Sequence, residues 1–187
     1  MKKNILRTGL AALVVLTLVL SGCAQSGAGA ALPGDTEENL KTVTDKASEI
    51  LGNAGMSFDE AVTGENSQNL IGLSSADFDK YVKDAYASQA MIMTHAHQVV
   101  LIRCTDAKST DTVRKLIENG FDPTKWICVF PEQCFTIIAG DCILFAATDN
   151  NTAEALKTAF ADLAGDLAGT PEIFYEAANG GGGLLLG

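Results

Sequence analysis

Two residue types in this 187-residue chain are able to do chemistry: five cysteines and two histidines. His95 and His97 are the only histidines, and they lie two apart. On an extended chain that spacing projects both imidazoles to one side, as metal ligands require. A structural zinc site needs two more ligands at tetrahedral geometry. Cys104 is the nearest thiol in sequence, but no motif brings a second donor beside it, so the residues imply neither a metal nor another cofactor. The alternative is a polar hairpin turn. Cys128 and Cys134 are separated by five residues, which is not the Cys-x-x-Cys of thiol–disulfide exchange. Cys104, Cys128, Cys134 and Cys142 all sit in apolar runs (LIRC, WICVF, QCF, DCILF). As an even set in an exported domain they allow two disulfides, and as small hydrophobes they suit core positions. Cys104 and Cys142 fall on different expected strands, where pairing needs Cα atoms within about 7 Å.

Catalytic constellations are otherwise missing. The chain contains no Gly-x-Ser-x-Gly and no Gly-x-x-x-x-Gly-Lys;. Asp77, Asp79 and Asp84 fall on a helix face with Lys80 and Lys83, the usual solvated arrangement. Trp126, Phe130 and Tyr81 are candidates to line a groove, or else to fill the core.

Cys23 stands in a different context. Lys2, Lys3 and Arg7 precede an apolar run, Gly9 to Leu20, and small residues follow. A charged start, a short apolar run and small residues before a cut make a secretory signal. The run is shorter than the roughly 20 residues that span a bilayer. Leu20-Ser21-Gly22-Cys23 resembles the lipobox of bacterial lipoproteins, in which the cysteine thiol receives a diacylglycerol and becomes the new N-terminus. Two acyl chains anchor stably where one is marginal. The expectation is therefore a lipid anchor at Cys23 on the extracytoplasmic face of the cell membrane.

Removing residues 1–22 takes three basic residues and no acidic ones. The remainder carries 10 basic against 23 acidic residues, a formal −13. Such a surface repels nucleic acid and anionic headgroups. The partners expected are the membrane, through the lipid, and an envelope protein or cell-wall ligand.

The elements follow in order. Residues 1–22 are the signal and 23–34 a flexible Gly/Ala/Ser tether. One globular domain is expected over 35–168, and a Gly-rich flexible tail over 169–187. Asp35 to Leu51 has apolar residues at helical spacing. Ser57 to Glu60 reads as a capping box and one helical turn, and residues 63–73 as loop. A helix is expected from Ser74 or Ser75 to about Tyr86, then strands Ala90–Thr94 and Val99–Cys104. Ser109 or Thr110 begins a helix to Asn119. Phe135–Ala139 and Cys142–Thr148 flank Gly140-Asp141, a two-residue hairpin turn. Asp149 or Asn150 caps a last helix. The class expected is α+β: a small, mostly antiparallel sheet of about four strands with helices on one face.

Residues 74–164 also resemble the domain-of-unknown-function family four-three-five-eight, small lipoproteins of Gram-positive bacteria. The matching pieces are Asp77 to Val82, Val99 to Ile102, Val113 to Ile117, the turn Phe130-Pro131-Glu132-Gln133 and the hairpin around Gly140-Asp141. The cysteines, His95 and His97 depart from that pattern. The resemblance implies a lipoprotein of α+β fold, and it carries no activity or site residue to transfer.

Overall fold

A computed structural model describes residues 30–52, 57–91, 95–126 and 129–177. Cys23, the rest of the lipobox and Cys128 lie outside them.

The fold is α+β, built on one open antiparallel sheet of six strands: β1 (Ser57–Ala61), β2 (Val82–Ala90), β3 (Gln98–Cys104), β4 (Gln133–Ala139), β5 (Cys142–Thr148) and β6 (Glu172–Glu176). Their order across the sheet is β1-β2-β3-β5-β4-β6. The centre is β3 and β5, joined with Val99 opposite Ala146 and Leu101 opposite Leu144. Among the described residues five α-helices cover it: α1 (Thr36–Leu51), α2 (Ser67–Ile71), α3 (Ser75–Tyr81), α4 (Thr110–Gly120) and α5 (Asn150–Ala164).

Helices cover both faces, not one. On the first face Leu40 and Val43 of α1 and Leu156 and Phe160 of α5 pack on Val99, Leu101, Phe135, Ile137 and Leu144. On the second, Leu70, Ile71, Phe78, Val113 and Ile117 of α2, α3 and α4 pack on Val100, Ile102, Ile143 and Phe145. The cause lies in β3 and β5 themselves. Every residue of QVVLIRC and CILFAAT is buried, and a continuous apolar run needs cover on both sides.

The strand count also exceeds four. Ser57–Ala61 is an edge strand, with Ser57 opposite Ala90, rather than a helical turn. The helix from Ser75 stops at Tyr81, and the chain runs on as β2. Lys, Asp and Ala in that segment are poor strand formers locally, but Ala85 and Ala87 each fill a core position opposite β3. Strand formation here is decided by packing rather than propensity. The expected hairpin around His95 to His97 is therefore displaced, with β2 ending at Ala90 and β3 starting at Gln98. Residues 92–94 lie outside the description.

Local signals hold where short-range chemistry dominates. Asp35 caps α1 by accepting from the Glu37 and Glu38 amides, and Asp149 caps α5 through the Thr152 amide;. Gly72, at φ +73°, ends α2 against the end of α4. A Cβ on Gly72 or on Gly120 would come within 2.2 Å of the other segment's backbone, so both must be glycine;.

The domain is longer than 35–168 at both ends. Leu32 is 2% exposed and belongs to the first core. Beyond Ala164, a short 3₁₀ turn leads to β6, which pairs with β4. Glu172–Glu176 is thus sheet where a flexible tail was expected. Phe174 stacks on Phe145, their ring centroids 6.2 Å apart, and this contact draws the segment in.

Candidate functional site

The sheet has two chemically different ends. One holds the end of β3, the β4–β5 turn and the segment before α1. The other holds the start of β3, the end of β5 and the start of β4.

At the first end Arg103 is the organising residue. It lies opposite Cys142 and points to the α1 face. Its side chain is 8% exposed. Nε donates to Thr36 Oγ1 at 3.0 Å, Nη1 to the Leu32 carbonyl at 2.9 Å, and Nη2 to the Gly34 carbonyl at 2.9 Å. Nη1 also meets both Asp141 carboxylate oxygens, at 3.1 and 3.0 Å. Asp141 Oδ1 in turn accepts from the Leu32 amide at 2.7 Å. The rigid guanidinium fork suits this buried role. Gly140 completes the clamp. It sits at φ +61°, and a Cβ there would lie 2.3 Å from the Ala30 carbonyl oxygen. The Gly140-Asp141 turn thus does two jobs: it reverses the hairpin and it seats residues 30–34. The sequence signals only the first.

At the opposite end each face carries a polar cluster. On the α1/α5 face His97 Nδ1 lies 3.0 Å from Thr148 Oγ1. Burial lowers the His97 pKa below its ordinary value; the Asp149 carboxylate opposes this and His95 adds to it. Lys157 donates to Gln133 Oε1 at 2.6 Å and lies over the Phe135 ring. On the other face Gln98, fully buried, donates to the Leu70 carbonyl. Lys125 Nζ donates to Gln98 Oε1 at 2.5 Å and to the Asn69 carbonyl at 2.8 Å. Its ammonium lies 4.8 Å from the Trp126 ring centroid and 5.2 Å from that of Phe121. Burial pulls Lys125 down to about 8, against the field of Asp122. Phe121 and Trp126 meet edge to face.

The sequence candidates are scattered rather than gathered. His97 is half-buried with Thr148 and Asp149, whereas His95 is exposed. Among the described residues no three His, Cys, Asp or Glu side chains converge as metal ligands. Cys104, Cys134 and Cys142 are free and buried. Cys104 and Cys142 are neighbours across the sheet, since the Cys104 amide donates to the Asp141 carbonyl. Their side chains nonetheless enter opposite cores, Cys142 with α1 and α5 and Cys104 with α4. Strand alternation thereby prevents a disulfide that Cα proximity alone would allow. Burial pushes the thiols of Cys104 and Cys134 up to about 12, and that of Cys142 higher still. Thiolate chemistry at neutral pH is suppressed at all three.

The aromatic groove does not form as a unit. The Tyr81 carbonyl accepts from Thr105, just past the end of β3, while Lys125 beside Trp126 reaches Gln98 at its start. Sequence reasoning missed Arg103, Gln98 and Lys125. An arginine inside the apolar run Val99–Cys104 was the available sign, because a charge in a buried strand demands partners.

Comparison with family models, with curated proteins and with solved structures finds no match for this chain. What the protein does is therefore read from its own residues.

Proposed function

We propose that this chain is a membrane-tethered extracytoplasmic lipoprotein whose domain binds a partner rather than catalysing a reaction. The observation that carries the reading is the run from Gly9 to Leu20 closing on Ser21-Gly22-Cys23 behind Lys2, Lys3 and Arg7;. Two features of the fold support it. No described helix is long and apolar enough to cross a membrane, which suits attachment by lipid at Cys23. Leu32 and Gly34, which precede α1, are held to the sheet by Arg103 and Asp141, a fixed point for a tether to pull on.

The binding role rests on the chemistry the domain presents. The described thiols are core residues, and the polar groups at the far end are taken up in separate pairs, His97 with Thr148, Gln133 with Lys157 and Lys125 with Gln98, rather than converging on one reacting point. An envelope protein or a cell-wall component is the partner class this reading names. The test is the intact mass of the protein extracted from bacterial membranes, compared with a Cys23→Ser variant. A chain starting at Cys23 with added acyl mass, lost in the variant along with membrane association, supports the reading. A chain retaining residues 1–22 without added mass contradicts it.

A further inference from the structure

The Arg103 clamp does more than stabilise the fold: it fixes the point from which the domain hangs. Ala30 packs on Gly140, Leu32 is in the core, and Arg103 holds the carbonyls of Leu32 and Gly34. From Ala30 onward the chain is thus part of the sheet's first end. Seven peptide links separate Cys23 from Ala30, a reach of at most about 25 Å. β3 alone has 7 residues, roughly 20 Å of strand separating the two ends. The leash at full stretch is therefore comparable to one central strand in length and is attached at one end of the sheet;. A leash this short, fixed there, prevents the far end from reaching the surface as readily as the near end.

We infer that the clamp orients the domain on the membrane. The Gly140-Asp141 turn and the Thr105–Ser109 loop face the bilayer, and the His97, Thr148 and Trp126 end faces outward. The inference rests on the lipid anchor at Cys23 proposed above. It adds a direction that anchoring alone does not supply, and it leaves the His97–Lys125 end facing away from the bilayer. The surface charge works the same way, since an acidic domain is not drawn flat onto anionic lipid.

The test uses the acylated protein in phospholipid vesicles carrying a headgroup acceptor dye. A donor dye is placed at Lys108→Cys, exposed at the near end, or at Asn150→Cys, exposed at the far end; Ser replaces Cys128 in both. Energy transfer to the lipid surface is expected to be greater from position 108 by roughly twofold or more, given the strand length between the sites. Inserting about 20 Gly/Ser residues between Cys23 and Ala30 leaves the clamp intact, raises the maximum reach of the leash about fourfold and should erase the difference. Equal transfer from both positions with the natural leash, or more from 150, overturns the orientation. An unmodified Cys23 in the mass spectrum is a separate failure, that of the lipoprotein reading. In that case the same two positions are compared on chelator-lipid vesicles through a hexahistidine tag placed just before Cys23. The orientation is upheld if 108 still leads and overturned if it does not.

Discussion

The two ends of the sheet both bury polar side chains, but they do so in different ways. At the Arg103 end a single guanidinium meets a carboxylate, a hydroxyl and two carbonyls, and every partner is supplied by the fold. At the His97 end the polar groups come in separate pairs split between two faces: His97 with Thr148, Lys157 with Gln133, Lys125 with Gln98. The first arrangement closes on itself and leaves nothing for a ligand. The second carries two amines and an imidazole at a rim, where each is within reach of solvent. The contrast teaches where to look for function in this domain: at the end whose polar groups are paired but not locked.

The largest expected effect tests the locked end. Arg103→Leu leaves Asp141 buried with no countercharge, and removing one partner of a buried pair costs about 3–5 kcal/mol. Urea unfolding should show that loss. A change below about 1 kcal/mol, the range of exposed pairs, would mean the clamp is no stronger than a surface bridge. Gly140→Ala probes the same end more gently. A left-handed alanine costs about 1–2 kcal/mol, and the Ala30 carbonyl must also move. The destabilisation should be accompanied by faster amide exchange at Leu32, with the strand amides of β3 still protected.

Gln98→Ala is the matching change at the other end. It strips partners from Lys125 and from the Leu70 carbonyl, and an orphaned buried group costs about 1–3 kcal/mol. It should therefore destabilise less than Arg103→Leu; equal or greater loss would reverse the contrast. The smallest effect is a pH dependence. The folded-state pKa of His97 lies below its ordinary 6.5, so the unfolded chain binds its proton first. The stability linked to this group is present above that ordinary value and is lost as pH falls through it toward the lower folded value. Thermal unfolding measured from pH 7.5 to 5.5 should show a decline that His97→Gln flattens, and an identical decline in both proteins would remove His97 from the account.

Much of this fold could be read in advance, and the failures have physical causes. The Gly140-Asp141 hairpin, the helix over Val113–Ile117 and the caps Asp35 and Asp149 follow from chemistry spanning a few residues. β1 and β2 did not, because Lys83, Asp84 and Ala85 are poor strand formers until a neighbouring strand offers pairing;. Two-sided burial was missed, since helices were expected on one face, although Val99–Ile102 and Cys142–Ala147, both unbroken apolar runs, signal it;. β6 was hidden by its exposed Glu172 and Ile173 and held by contacts that span the sheet. As for the site, cysteine and histidine drew attention by type alone. Arg103, Gln98 and Lys125 acquire meaning only through partners 27 to 71 positions away.

The most direct measurement of the central claim, that residues 30–34 are built into the sheet, is native-state hydrogen exchange at the Leu32 amide. That amide donates to Asp141 Oδ1 beneath the Arg103 guanidinium. The account predicts exchange as slow as in the central strands, proceeding only with global unfolding. Exchange at the rate of exposed chain, with β3 and β5 still protected, would show that residues 30–34 are merely a leash, and the clamp and the orientation it sets would both fall.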